Sequence, residues 1–306
     1  MRLALILLAA CAMPLGTTEQ AIRGGTTDDG DPAVVALSVL GLYSYCSATL
    51  IAPHTLLTAG HCKLDGAEAE FGTDASSPTQ SIDIADVTVH PMYTGEGQPY
   101  DFALMKLASD PSGIAPVILN GIALGSANVG EPMRHVGFGV TDDTSGDGGG
   151  TRRSVTYPLN TIDPILIYSG APNEQTCTGD SGGPGFMTLD GVTEVEVGVV
   201  SDGPNCDLSE DGWDDRVDAV EAWIIATTSA WDAPPTFDDG SGDGSALGSG
   251  SGSAIAPPTS DAGVSPDAPI EAQHSTGGCA TTNASGWLLA LLISARMFRR
   301  ASRRSR

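Results

Sequence analysis

Short runs of apolar residues alternate with polar turn residues along most of the chain. Runs of four to eight residues rich in Val, Ile, Leu and Thr, bounded by Gly, Pro, Asp or Ser, are typical of β-strands, and many short strands at regular spacing indicate a barrel or sandwich. The pattern therefore predicts an all-β domain from residue 22 to residue 230. The runs are Val34 to Leu40, Ala48 to Ile51, Ile82 to Val89, Phe102 to Leu107, Met133 to Val140 and Val195 to Val200.

One segment near the end of this domain has helical spacing instead. Val217, Val220 and Ile224 fall on one stripe of a helix, with Trp223 beside it. The spacing predicts a carboxy-terminal helix that closes the domain. By contrast, the stretch TDDTSGDGGGT from residue 141 to residue 151 predicts an exposed loop.

The two ends of the chain differ from the β pattern. Met1 and Arg2 precede an apolar run from Leu3 to Ala10, which predicts an export signal too short to span a membrane, with a short propeptide up to residue 21. Residues 231–276 are rich in Gly, Ser, Asp and Pro and predict a disordered stalk. We therefore expect an exported protein.

The last segment, residues 277–306, combines Cys279, a short apolar stretch from Trp287 to Ile293 and an arginine-rich end. It resembles the carboxy-terminal sorting signals of myxobacterial surface proteins, which implies a bacterial protein that is secreted or anchored at the outer membrane. Cys11 lies in a short match to a bacterial lipobox. Lipidation of Cys11, of Cys279 or of neither stays open.

Composition and charge restrict the partners. The 306 residues carry a formal net charge of -24, which repels nucleic acid and anionic lipid surfaces. The Asp-rich loops lack the ligand spacing of a calcium-binding loop, so we expect no metal, and no motif predicts a cofactor. Four cysteines lie in the β domain, Cys46 and Cys62 around one short loop and Cys177 and Cys206 around another. They suggest two disulfides in an exported protein, although four cysteines allow three connectivities.

Three motifs, far apart in the sequence, carry candidate chemistry. His61 lies in LTAGHC, Asp101 opens DFALMKL, and Ser181 lies in TGDSGGP. Serine is a weak nucleophile until a neutral imidazole takes its proton, and a buried carboxylate can hold that imidazole in the required tautomer. The order His, Asp, Ser is that of chymotrypsin, and it differs from the orders of subtilisins and α/β-hydrolases. We therefore predict that these three residues form a catalytic triad.

Two other functions have to be weighed. Gly179 to Gly183 also fits the Gly-x-Ser-x-Gly motif of lipases and esterases, but such an enzyme needs a histidine after its serine, and His274 in the predicted stalk is the one histidine there. That location argues against an α/β-hydrolase. The second alternative is a non-catalytic binding or adhesion module that keeps a protease fold.

The motifs resemble those of the trypsin and chymotrypsin family of serine proteases over residues 22–230. The block from Cys46 to Cys62, Val89-His90-Pro91 ahead of Asp101, Gly137-Phe138-Gly139, and Gly198-Val199-Val200-Ser201 all match family blocks. The resemblance implies two six-stranded antiparallel β-barrels of the chymotrypsin type and a serine endopeptidase acting through an acyl-enzyme. It also implies disulfides Cys46–Cys62 and Cys177–Cys206.

The same resemblance implies roles for the residues around Ser181. The backbone N–H groups of Gly179 and Ser181 would form the oxyanion hole, and Ser201 would support Asp101 by a hydrogen bond. Cleavage after Ala21 by an activating protease would free Ile22 to pair with Asp180. The family commonly has valine where this chain has Arg23, so that the arginine would have to keep its charge in water.

The resemblance also locates the substrate pocket. Its base falls at Gln175, where family members that cut after Lys or Arg carry aspartate, and Gly203 and Gly212 fall at its walls, beside Ser201. Asp202 stands where the family usually has tryptophan. We therefore expect a peptide or protein substrate, a specificity that is not strictly tryptic, and a monomer.

Overall fold

The computed structural model describes residues 22–241 except 42–43, 143, 173, 204–205 and 207–210. The predicted export signal, most of the predicted stalk, the arginine-rich tail, Cys11 and Cys279 lie outside the described residues. Across the part that is described, no helix is long and apolar enough to cross a membrane.

Six strands close the first barrel in the order β2-β3-β4-β7-β6-β5, with all neighbours antiparallel. Its interior holds residues of the apolar runs expected from the sequence, such as Val35, Leu50 and Leu104, and also Leu57 and Phe71 from outside those runs. A short strand β1, Thr26–Thr27, precedes the barrel. The barrel strands are β2 Val34–Val39, β3 Ser44–Ala52, β4 Thr55–Thr58, β5 Ala67–Phe71, β6 Gln80–Val89 and β7 Ala103–Leu107.

The second barrel is a ring of six antiparallel strands. Its strands are β9 Pro132–Gly137, β10 Arg153–Ile162, β11 Leu166–Ser169, β12 Pro184–Thr188, β13 Glu194–Asp202 and β14 Gly212–Arg216. They follow one another as β9-β10-β11-β14-β13-β12, and β12 pairs with β9 to close the ring. Two closed six-stranded barrels confirm the predicted chymotrypsin-like fold.

The helix begins later than the sequence pattern predicts. Helix α1 spans Glu221–Thr228, whereas the predicted stripe begins at Val217. Val217 donates its N–H to the carbonyl of Val197 at 3.0 Å, so it still belongs to the edge of the second barrel. Val217 and Val220 are buried there as predicted, but the chain turns into the helix after them.

The packed chain also continues beyond residue 230, where the sequence predicts the stalk to begin. Trp231 donates its indole N–H to Thr55 Oγ1 at 2.8 Å, and the carboxylate of Asp232 accepts the N–H of His54 at 2.6 Å. Strand β15, Phe237–Asp238, then pairs in parallel with β8, Leu119–Asn120. These contacts extend the folded domain by about ten residues. The Gly- and Ser-rich stretch that predicts the stalk begins only at Gly240.

Candidate active site

Two adjacent strands of the first barrel bring His61 and Asp101 together. His61 lies in a 3₁₀ turn, Gly60–Cys62, just after β4, and Asp101 immediately precedes Phe102 and β7, which pairs with β4. The imidazole Nδ1 lies 2.6 Å from Asp101 Oδ2, and the backbone N–H of His61 donates to Asp101 Oδ1 at 2.9 Å. Since Oδ2 needs a proton on Nδ1 for this hydrogen bond, Nε2 is left free to accept one.

Asp101 is fully buried and has further partners. Ser201, on β13 of the second barrel, donates its hydroxyl to Asp101 Oδ2 at 2.8 Å. Tyr93 covers the other side, where a Cβ on Gly60 would lie 3.0 Å from both the Tyr93 ring and Asp101 Oδ1. Burial, followed by the charge of Asp101, raises the pKa of Tyr93 well above its usual value. The carboxyl group is thus held from both barrels.

The protonated form of His61 is favoured by its surroundings. Burial acts to lower the pKa of His61, but the hydrogen bond and the charge of Asp101 outweigh it and raise the pKa above its usual value of 6.5. The charges of Glu96 and Asp202 contribute in the same direction. A histidine in this setting is suited to taking up a proton and holding it.

Ser181 lies on a tight turn between the two barrels. Its carbonyl accepts the N–H of Ser47 at 2.8 Å, and the next residue, Gly182, donates its N–H to Val200 at 2.7 Å. Gly182 has a φ of +80°, and a Cβ there would lie 2.0 Å from Thr58 Oγ1. Glycine is needed at this position because both the backbone conformation and the space exclude a side chain.

Ser47 is a supporting residue that the sequence analysis did not identify. It is fully buried on β3, accepts the N–H of Phe138 at 3.0 Å, and donates its hydroxyl to the carbonyl of Gly179 at 2.9 Å. Together with its bond to Ser181, these contacts attach the serine turn to the first barrel. The position directly follows Cys46 in the motif block, but a serine there carries no pattern of its own.

The two backbone groups predicted for the oxyanion hole lie on the same turn. Gly179 has a φ of +99°, a conformation that favours glycine. Within the described residues, neither the Gly179 N–H nor the Ser181 N–H donates to a carbonyl, whereas Asp180, Gly182 and Gly183 all do. Two unpaired N–H groups around one serine are the arrangement that can bind a developing negative charge.

His61 and Ser181 line the same cleft, of about 410 Å³. Ser201 and Gly203, two of the residues predicted for the substrate pocket, also line this cleft, and so do the exposed acids Glu96 and Asp202. The other lining residues are Tyr45, Gly97, Thr176, Cys177, Thr178, Gly179 and Val200.

The remaining two predicted pocket residues lie deeper. Gln175 is 1% exposed, and its side-chain amide lies next to Gly212 and Gly170. A Cβ on Gly203 would lie 3.1 Å from the Cα of Gly212, so the two glycines are close neighbours. Gln175 and Gly212 therefore lie beneath the residues that line the cleft.

Ile22 and Asp180 are both buried in the second barrel. Ile22 packs against Val155 and Tyr157, while the carboxylate of Asp180 accepts the N–H groups of Gly139 and Cys177, each at 2.8 Å. Burial raises the pKa of Asp180 to about 6, although these two hydrogen bonds act to lower it.

Arg23, which stands where the resemblance leads us to expect valine, lies at the surface. Its side chain is exposed, and Nη1 donates to the carbonyl of Cys206 at 2.9 Å. The backbone at this point pairs with Gln175, whose N–H donates to the Arg23 carbonyl at 3.0 Å. The arginine thus keeps its charge at the surface while Ile22 beside it is buried.

Two disulfides support the site. Cys46–Cys62 links β3 to the turn that carries His61, and Cys177–Cys206 links the turn before Ser181 to the segment after β13. In the described part of the chain, one group of potential metal ligands is close together, namely Cys46, His61 and Cys62. The two sulfurs of this group form the Cys46–Cys62 disulfide, so the group does not present a metal site.

The fold and this site together define a class of two-barrel β proteins with a His–Asp pair facing a serine turn. The sequence profile described as Trypsin matches residues 22–224, which is more than half of the chain. The chain therefore belongs to the trypsin family.

Individual relatives are distant. Vitamin K-dependent protein C of Rattus norvegicus is 29% identical over 211 residues, which cover 58% of this chain and 45% of that protein. Trypsin of Simulium vittatum is 28% identical over 198 residues, covering 56% of this chain and 75% of that protein. Trypsin of Squalus acanthias is 28% identical over 216 residues, covering 65% of this chain and 91% of that protein. The chain thus spans less than half of protein C and three quarters or more of these two trypsins.

Proposed function

We propose that the protein is a serine endopeptidase that hydrolyses peptide bonds through Ser181, His61 and Asp101. The observation that carries the proposal is the bond of 2.6 Å between His61 and the buried Asp101, at the edge of a cleft that Ser181 also lines. Membership of the trypsin family supports the same reaction.

The mechanism follows from the roles that this geometry allows. Nε2 of His61 takes the proton of the Ser181 hydroxyl while the serine oxygen attacks the scissile carbonyl. The imidazolium is stabilised by Asp101, to which it remains bonded through Nδ1, and it then gives its proton to the leaving amine. This leaves an acyl group on Ser181, which a water activated by His61 removes.

The N–H groups of Gly179 and Ser181 would bind the oxyanion of each tetrahedral intermediate. The loss of one such donor typically costs about 3 kcal/mol of transition-state stabilisation. The contacts of Ser47 with the Gly179 and Ser181 carbonyls support this role, because they fix the peptide planes that directly follow the two donors.

The cleft supports a specificity that is not strictly tryptic. Gln175 stands at the expected pocket base and is neutral, so it provides no charge to select a Lys or Arg side chain there. Glu96 and Asp202 place two exposed carboxylates beside His61 instead. We propose that they favour a basic residue elsewhere in the substrate, near the scissile bond.

Activation would follow cleavage before Ile22. Ile22 is already buried next to Tyr157, and Asp180 lies in the same barrel with a raised pKa, so a new ammonium group at Ile22 would supply the missing positive partner. The protease that makes this cut would be a transient partner.

Export and anchoring are proposals that rest on the sequence of the two chain ends. Fractionation of cells that express the full chain or a chain ending at Ser241 tests them. Retention of the full chain at the outer membrane and release of the shorter chain would support the anchor, whereas equal release of both would contradict it.

The proposed activity is tested by labelling the chain, cut directly before Ile22, with a fluorophosphonate probe. We expect Ser181→Ala to abolish labelling and His61→Ala to reduce it at least a thousandfold, on the order of the losses typical for a triad. A mixed peptide library then gives the cleavage preference. No labelling of a folded, correctly cut chain would favour the alternative of a non-catalytic binding module.

A further inference from the structure

A second buried carboxyl group lies behind Asp101. Asp215 is fully buried on β14, and its Oδ1 accepts the backbone N–H of Tyr100 at 2.6 Å. The backbone N–H of Asp101 also reaches this carboxyl group. Asp215 thus contacts the main chain at the point where the first barrel presents Asp101.

The backbone of this point is strained. Tyr100 has a φ of +66°, in the left-handed region that a bulky side chain rarely adopts. Such a conformation is unfavourable for a residue other than glycine and persists where surrounding contacts hold it. Here the contacts are the hydrogen bond to Asp215, the stacking of the Tyr100 ring on His90 at 5.1 Å, and a bond from the Phe102 N–H to the Tyr100 carbonyl at 2.8 Å.

We propose that Asp215 is a positioning residue of the reaction, which holds the backbone of Tyr100 and Asp101 and thereby fixes the carboxylate that orients His61. The proposal rests on the proposed function. Two adjacent strands then hold Asp101 in different ways, because Ser201 on β13 binds its side chain and Asp215 on β14 binds the adjoining backbone N–H of Tyr100.

The charge of Asp215 gives this role a pH dependence. Burial, followed by repulsion from Asp101 and then Asp214, raises the pKa of Asp215 to about 7. Tyr93 and Tyr168 also face Asp215, and their own pKa values are raised, mainly by burial, so both stay neutral in this range. Loss of the Asp215 proton therefore places a second negative charge behind Asp101, which further favours the imidazolium form of His61.

The test compares Asp215→Asn with Asp215→Ala in the full chain cut before Ile22. Asn retains an oxygen that can accept the Tyr100 N–H, whereas Ala leaves that N–H buried without an acceptor. We expect Ala to lower kcat about tenfold or more with KM little changed, as for a misplaced catalytic group. We expect Asn to stay within about threefold of the wild type above pH 8, but to shift the acidic limb of the kcat profile to lower pH, because His61 then titrates without the charge of Asp215.

Two further variants separate positioning from a general loss of stability. Glu196→Gln also removes a fully buried carboxyl group of the second barrel, but away from Tyr100, and it should leave kcat and its pH profile unchanged. Tyr100→Gly relieves the strain at φ +66°, so it should restore part of the activity lost in Asp215→Ala. If Asp215→Ala does not fold, Asp215→Leu, which fills a similar space without an acceptor, replaces it in this comparison.

A measurement that needs no turnover distinguishes this proposal from the proposed function. The ring resonances of His61, assigned with a His61→Gln variant, can be titrated by NMR in chains that carry Ser181→Ala. We expect Asp215→Asn to lower the pKa of His61 by a measurable fraction of a unit. A folded Asp215→Ala variant with the kcat of the wild type would overturn the positioning role, and an unchanged His61 titration in Asp215→Asn would overturn the effect of the Asp215 charge. An inactive wild type with a shifted His61 titration would contradict only the proposed function.

Discussion

Cleavage before Ile22 should stabilise the protein, and more at neutral than at acidic pH. Asp180 is fully buried, and its pKa is raised from 3.8 to about 6, with burial as the main cause. In the uncut chain its carboxylate has two backbone N–H partners but no direct ion pair among the described residues. A free ammonium group at Ile22 would provide that pair.

The magnitude follows from linkage between proton binding and folding. The unfolded chain releases the Asp180 proton near pH 3.8 and the folded uncut chain near pH 6, so the folded state loses stability as the pH rises through this range. Each pKa unit corresponds to about 1.4 kcal/mol, so the full loss above pH 6 is about 3 kcal/mol. An ion pair with Ile22 brings the pKa of Asp180 back to its usual range or below, which removes the loss while the amino group is protonated, up to about pH 8.

The assay is urea unfolding of one chain before and after cutting, with a specific protease site replacing the residues directly ahead of Ile22. The expected gain in the free energy of unfolding is about 3 kcal/mol at pH 7 and about 1 kcal/mol at pH 4.5. Asp180→Asn is the control, since it cannot form the ion pair and should show no pH-dependent gain. A gain that is equal at both pH values, or that persists in the control, would refute the reasoning.

Three other outcomes are expected. Ser201→Ala removes a hydrogen bond of 2.8 Å to the buried Asp101 carboxylate, and should lower kcat/KM about tenfold or more, measured by peptide hydrolysis, because such bonds contribute about 1.5–3 kcal/mol. Gly182→Ala forces a Cβ to within 2.0 Å of a neighbouring side chain at a φ of +80°, and should abolish fluorophosphonate labelling and lower the melting temperature. Peptides with Arg near the scissile bond should be cut faster than matched citrulline peptides, and this difference should be smaller in Glu96→Gln, in Asp202→Asn and at high salt. Equal rates for the two peptides in the wild type would contradict the proposed role of Glu96 and Asp202.

Much of the fold is predictable because many of its strands coincide with short contiguous runs of apolar residues in the sequence. The predicted run Phe102 to Leu107 directly follows Asp101 and forms β7, and the motif of His61 begins on β4, although no run was predicted there. Adjacent strands that end at one side of a barrel bring the residues at those ends together, so the His–Asp contact follows from motif and fold. The helix boundary was less predictable, because the stripe that begins at Val217 is equally consistent with an apolar strand edge.

The interior of the second barrel could not be predicted from periodicity. Trp213-Asp214-Asp215-Arg216 contains three consecutive charged residues and belongs to none of the predicted apolar runs, yet the strand it forms buries both aspartates. Asp214 is accommodated because His135, also buried, lies 2.9 Å from its carboxylate, and because a glycine at position 185 leaves room for the pair. Buried acids are tolerated only where the fold supplies such partners, and those partners are distant in the sequence. Asp215 therefore belongs to the surroundings of the Asp101 carboxylate although it lies outside every predicted apolar run.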